Sequence, residues 1–416
     1  MGRGAKFADT SVLYQIRISP HVASPRIAKV GLHPHRTAFL PGLFAALLLL
    51  AVWSSELLMR QQGASLHREL SPMQAHAALM LYGLFPFFMT GFILTAAPRW
   101  LNAAAPARWR CVLIPLLLFA ALLCALAAVP GSHYWLAAAA LLWLVALALL
   151  AQTMQQLLHQ SAVTDRLHAQ TVLAALLAGC CGLVAMLYWL LTGEAAAWWW
   201  MRNLALWGFL LPVFLAVSHR MLPFFTQSVI PQYQIWRPRW LLLALVGGSW
   251  LYGLLAIAQL PLWPASLLLC GISTACLYRW QSWRSRSVPL LAMLHLAFAW
   301  LPLAFLLLTL AGFGLVSSLA GLHAVTVGFF ITMLVGFASR VMLGHAGHPL
   351  QASRGLWWLY LLLHGVALLR VSADLLPAFA LRGYVLAALS LLVGLLGWAW
   401  FGLPLLARKR ADGKPG

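Results

Sequence analysis

Acidic residues are nearly missing: the 416-residue chain has only seven Asp and Glu, and charged residues of both signs make up 8%. That scarcity excludes paired-carboxylate hydrolysis and an oxygen-rich calcium or magnesium cage. Proton-coupled transport loses its usual groups as well, because only Glu56 falls close to the interior of a predicted span. Cysteine chemistry is also thin. Cys111, Cys124, Cys180, Cys181, Cys270 and Cys276 all lie in apolar stretches, with no CxxC and no CxxCH. They read as small buried residues, which excludes a disulfide framework and covalent haem attachment.

What the chain has is hydrocarbon, with 63% hydrophobic residues. A soluble domain cannot carry that fraction, so the fold class is all-α, a polytopic membrane helix bundle. Apolar runs of spanning length are expected at Phe39–Leu58, Gln74–Ala97, Cys111–Ala128, His133–Leu150, Gln170–Leu191 and Trp198–Ser218 in the first half. The second half gives Trp240–Ala258, Pro261–Tyr278, Pro289–Gly312, Ser318–Ala338, Gly355–Val371 and Arg382–Leu406, about 12 transmembrane helices in all. The domain reading is a basic cytoplasmic segment over 1–38, a transmembrane domain over 39–406 and a basic cytoplasmic tail over 407–416.

The net charge of +20 follows from topology. With the N-terminus inside, 22 Lys and Arg fall in inside segments and five fall outside: Arg60, Arg68, Arg202, Arg370 and Arg382. This is the positive-inside pattern, which places both termini in the cytoplasm and makes lipid, not nucleic acid, the partner of the basic residues. The run HPHR at His33 to Arg36 is read as a headgroup contact.

Aligning Gly83, Gly208 and Gly328 brings the second, sixth and tenth spans into register, with Gly91, Ala216 and Gly336 matched and Arg220 opposite Arg340. The chain then reads as three repeats of four helices, a period that two six-helix transporter halves would not produce.

His76 and His323 enter the second and tenth spans at the same predicted depth on the outer side, in helices running in the same direction. Two neutral imidazoles at one depth suit a shared metal or haem. In the middle repeat the same depth carries Trp198 to Asn203, where Arg202 suits a haem propionate and Met201 offers a sulfur. On the inner side His219 closes the sixth span and His345 and His348 follow the tenth in GHAGHP, a second set of metal candidates or a clamp between repeats. His295 and His364 are intramembrane and are expected to make structural hydrogen bonds.

These residues carry a family resemblance. HAALMLYG from His76 to Gly83, GFILTAAPRW from Gly91 to Trp100, RMLPFFT from Arg220 to Thr226, HAVTVG from His323 to Gly328 and SRVMLGHAGHPL from Ser339 to Leu350 resemble the signature segments of the NnrS family. The resemblance runs from about Val30 onward. It implies a bacterial inner (cytoplasmic) membrane protein associated with haem and copper and with the response to nitric oxide. The implied function is protection against nitrosative stress by binding or turning over nitric oxide, with the electron donor unspecified. Where the family pattern reads His-Ala-His-Glu-Met, this chain has His76-Ala77-Ala78-Leu79-Met80, and His348 stands where the family commonly has Arg. The loss of one His favours a single non-covalent haem over a haem and copper pair. The alternatives are a multi-span transporter of a small solute or metal complex and a cofactor-less assembly factor. The three-by-four period also resembles the twelve-helix haem-copper oxidases, a likeness of arrangement only.

Overall fold

The computed structural model describes residues 33–66 and 69–413, so most of the expected basic lead and the last residues of the tail lie outside the described residues. Among the described residues twelve long helices follow one another: α1 Pro34–Gln61, α2 Pro72–Leu101, α3 Arg108–Ala127, α4 His133–Gln160, α5 Leu167–Thr192, α6 Ala195–Val229, α7 Arg239–Ile257, α8 Trp263–Arg279, α9 Pro289–Gly312, α10 Ser318–His345, α11 Arg354–Leu375 and α12 Pro377–Ala407. Eleven are long and apolar enough to cross a membrane, and α8 falls just short with 17 residues. Proline occupies the first turn of α1, α2 and α9, where its missing N–H has no helical acceptor to lose. Asn102 at φ 47° and Gly193 at φ 74° end α2 and α5 in the left-handed conformation.

Several helices run past the expected ends. The expected spans end at Ser218 and Ala338, but helix continues through His219 and Ser339 as the last turns of α6 and α10. Hydropathy stops at the arginines there, but aromatic rings cover their charge. Arg220 lies over Trp100 of α2 at 4.9 Å, and Arg340 lies over Phe225 of α6 at 3.8 Å. Each of these matched arginines thus rests on the preceding inner helix.

The inner helices are α2, α6 and α10, with 83%, 83% and 72% of their apolar stretch buried, and α9 equals the last of these. Each is interrupted by a π segment, at Leu79–Leu84, Leu204–Leu210 and Ala324–Ile331. Gly83, Gly208 and Gly328 are all the fifth residue of their segment, so the sequence repeat is also a repeat of backbone geometry. A π turn leaves carbonyls without their helical donors, and side chains meet them. Ser249 and the Trp250 indole of α7 donate to the carbonyls of Trp207 and Gly208, and the Thr332 hydroxyl donates to that of Gly328.

The units join in a cycle. Tyr82 of α2 donates to the Gly179 carbonyl of α5, Thr226 of α6 bonds His295 of α9, and His345 of α10 lies on His35 of α1. Helix α12 packs on α1 and closes the ring. At the axis one phenylalanine from each inner helix meets the other two: Phe85 and Phe214 at 5.9 Å, Phe85 and Phe330 at 5.5 Å, Phe214 and Phe330 at 4.6 Å. Below them a small, wholly apolar cavity of about 50 Å³ lies among Phe39, Phe88, Phe92, Phe214 and Phe337. The start of α1 and the residues after α12 lie at one end of the bundle, where Ala411 donates to the Ala346 carbonyl beyond α10.

At the opposite end, Glu69 caps α4. Its carboxylate accepts from the His133 N–H at 2.9 Å, from the His133 ring at 2.8 Å and from Ser132 at 3.1 Å. The backbone donor, then the ring, holds this carboxyl below its ordinary pKa. A lowered folded pKa gives a contribution that is complete above the unfolded value and is lost as pH falls through the folded one. The melting temperature of the wild type is therefore expected to exceed that of Glu69→Gln at neutral pH. The gap should close progressively below about pH 5, read from parallel melting curves.

Candidate cofactor site

The end of the bundle away from the termini holds a cavity of about 300 Å³. Its walls come from α1, α2, α6, α10, α11 and α12, and Phe85 and Ile331 reach it from the direction of the axial phenylalanines. Most of the lining is aliphatic. His76, Arg202 and His323, one from each inner helix, all face it. The three residues that the sequence pairs by depth therefore share one space.

His323 is held from three sides. Its Nδ1 lies 2.8 Å from the Leu319 carbonyl and 2.9 Å from Asp374 Oδ2, and its Nε2 lies 3.1 Å from an Arg370 Nη. An acceptor pair at Nδ1 and a donor at Nε2 fix a single neutral tautomer, with the proton on Nδ1. Asp374 also pairs with Arg370 at 2.7 Å and accepts from the Tyr384 hydroxyl at 2.9 Å. His76 stacks on Trp53 of α1, ring centroids 3.8 Å apart. Arg202 lies over the Trp199 ring at 4.0 Å. Of the three arginines lining the cavity, Arg60 is paired with Glu56 at 2.8 Å and Arg370 with Asp374, while Arg202 has no carboxylate partner among the described residues.

Asp374 corrects the sequence reading that only Glu56 approaches a span interior. It belongs to α11, which runs four residues beyond its expected end at Val371, and it is buried. The signal was available in the spacing, because Arg370 and Asp374 are four apart and share a helix face. Trp53 carried no such mark, since an aromatic in an apolar span reads as core.

The remaining histidines lie elsewhere. His219 is at the termini end of α6, its Nδ1 2.9 Å from Nε2 of His168, a buried pair between α5 and α6. His345 lies 4.3 Å from the His35 ring, and His348 is exposed beyond the Gly347 turn, so the two are not presented together. Among the described residues no three His, Cys, Asp or Glu side chains are grouped to hold a metal ion. His295 bonds Thr226 and Ser282 through its two ring nitrogens, and His364 accepts from the Trp300 indole at 2.8 Å, as intramembrane imidazoles require. Met201 is fully buried and does not line the cavity.

Residues 30–410 match the family described as NnrS protein. The chain belongs to the NnrS family. Comparison with curated proteins gives no match. This NnrS-family protein is thus a polytopic membrane protein of a family tied to the nitric oxide response. The register of its π segments adds a detail to the NnrS pattern. Ala78, Asn203 and His323 each stand immediately before a segment, so the second histidine of the family's His-Ala-His run would fall at the depth of His323 in α10. Here that place is a buried alanine.

Proposed function

We propose that this protein binds one non-covalent haem in the far cavity and uses it in protection against nitric oxide. The observation that carries this reading is the convergence of His76, His323 and Arg202 on one largely apolar space. The donor set fits the group: imidazoles for iron, aliphatic walls for the macrocycle, and a cation without a carboxylate for a propionate. It does not suit a separate copper ion, for which no cluster of three donors is grouped among the described residues. When bound, the haem would supply an iron able to bind nitric oxide.

The residues would do the rest. Asp374 holds the Nδ1 proton of His323 and so turns the Nε2 lone pair to the cavity, the carboxylate–histidine arrangement that raises ligand basicity. Arg370 covers that lone pair in the structure, and ligation requires it to turn aside, toward the same anion that Arg202 would meet. Trp53 fixes the plane of His76. Nitric oxide is neutral and lipid-soluble, so the apolar helices admit it without a polar channel. The charge pattern supports cytoplasmic termini, which puts the cavity toward the outer face of a bacterial inner membrane.

Optical spectra of the purified protein, oxidised, reduced and with nitric oxide, test the reading. A Soret band that shifts on reduction and on nitric oxide addition is expected, and it should be lost or displaced in His76→Ala and in His323→Ala. Absence of a Soret band after haem reconstitution sinks the proposal.

A further inference from the structure

The termini end of the bundle carries a second concentration of basic groups, unrelated to the far cavity. His33, His35 and Arg36 open α1, His345 closes α10, and Arg410 reaches back from the tail to the His345 carbonyl at 3.3 Å. The rings of His33 and His35 are 5.8 Å apart and those of His35 and His345 are 4.3 Å apart. Arg99, at the end of α2, joins the same electrostatic neighbourhood.

Two of these side chains are buried beyond nine-tenths: Arg36 is 2% exposed and His35 is 3% exposed. Neither is fully satisfied. Among the described residues Arg36 Nε and His35 Nδ1 have no hydrogen-bond partner, and the groups whose charge acts on Arg36 and His35 are all basic. The nearby acid, Asp412, is engaged through both carboxylate oxygens by Arg410, at 2.9 and 2.6 Å. A buried guanidinium without a counter-charge among the described residues is costly, and the charge of this one is felt at His33, His35 and His345 while that of Arg410 is felt at Arg36. A trigonal-planar or tetrahedral oxyanion would satisfy several at once.

The geometry points to an oxyanion site of the phosphate class at the termini end, built on Arg36 and His35 with Arg410 and His345 at its rim. The membrane-side position offers two sources with this chemistry, the phosphate of an anionic lipid headgroup and free phosphate. Arg36 is the core donor, and Arg410, held by Asp412 and the His345 carbonyl, bounds the site from the tail.

Two measurements on the detergent-purified full chain distinguish the sources. The first is melting with inorganic phosphate against chloride at constant ionic strength. The second is native mass spectrometry after exchange from vesicles of phosphatidylcholine with or without phosphatidylglycerol. Stabilisation by phosphate assigns the free oxyanion, and retained phosphatidylglycerol assigns the headgroup. In either case Arg36→Gln should weaken the response about tenfold or abolish it, while Arg354→Gln, an exposed arginine at the same end, should leave it unchanged. If Arg36→Gln does not purify, Arg410→Gln gives the same reading from the tail. A wild type that responds to neither probe, or an Arg36→Gln or Arg410→Gln protein that responds like the wild type, overturns the assignment.

Discussion

Asp374→Ala is expected to cost about 3 kcal/mol or more in stability and to lower haem affinity about 10–100-fold. The carboxylate serves three partners, His323, Arg370 and Tyr384, and its side chain is fully buried. Removing it leaves the Arg370 guanidinium uncompensated against an apolar wall and frees the His323 ring to rotate. Asp374→Asn separates the two effects. The amide oxygen can still accept from His323 Nδ1, so ligation should largely survive, while the lost charge leaves Arg370 unpaired and the protein still destabilised. Melting curves give the first effect and haem titration the second. Equal haem affinity in wild type and Asp374→Ala would remove Asp374 as a positioning residue.

Gly328→Val is expected to prevent normal folding, at a cost of about 3 kcal/mol or more. A Cβ at Gly328 would overlap the Trp300 indole, which is itself fixed by its bond to His364. The matched glycines are less constrained. A Cβ at Gly208 would meet the Ala178 Cβ at 3.3 Å, and one at Gly83 would meet Leu49 at 3.3 Å, contacts tight by a few tenths of an ångström and not overlaps. Gly208→Ala and Gly83→Ala should therefore be milder than Gly328→Ala. Gly247→Ala, with no atom within 4 Å, should be neutral or slightly stabilising. Yield of monodisperse protein and its melting temperature rank the series. A Gly328→Val protein as stable as the wild type would contradict the packing described.

The helices were legible because the bilayer imposes one solution on the backbone, and run length reports it directly. Their ends were less so. Hydropathy treats Arg220, Arg340 and His345 as the close of a span, yet Trp100, Phe225 and His35 extend a ring-lined surface over them. The shared cavity of His76, His323 and Arg202 followed from depth, since the three stand five to seven residues before the matched glycines of helices running in one direction and so fall within one turn of one another. Asp374 escaped because the expected span stopped at Val371, which left it in the connection before the last span, whereas α11 continues to Leu375. The His35 and His345 contact joins residues far apart in the chain, and only ring closure by α12 brings α1 against α10. The π segments had no compositional signature, because LMLYGL, LALWGFL and AVTVGFFI would all suit an α-helix.

Those segments set an angle. A π turn holds about one residue more than an α turn, so everything beyond it is offset by about 100° from the phase of the helix before it. His76, Arg202 and His323 all lie beyond such an offset as seen from the glycine-packed portions of α2, α6 and α10. Deleting one residue from a segment would leave the lower packing face as it is and swing the polar side chain of that helix off the common space, toward a neighbouring helix. The aim of the three groups is thus a matter of counting, stored in the number of residues between the packing face and the cavity.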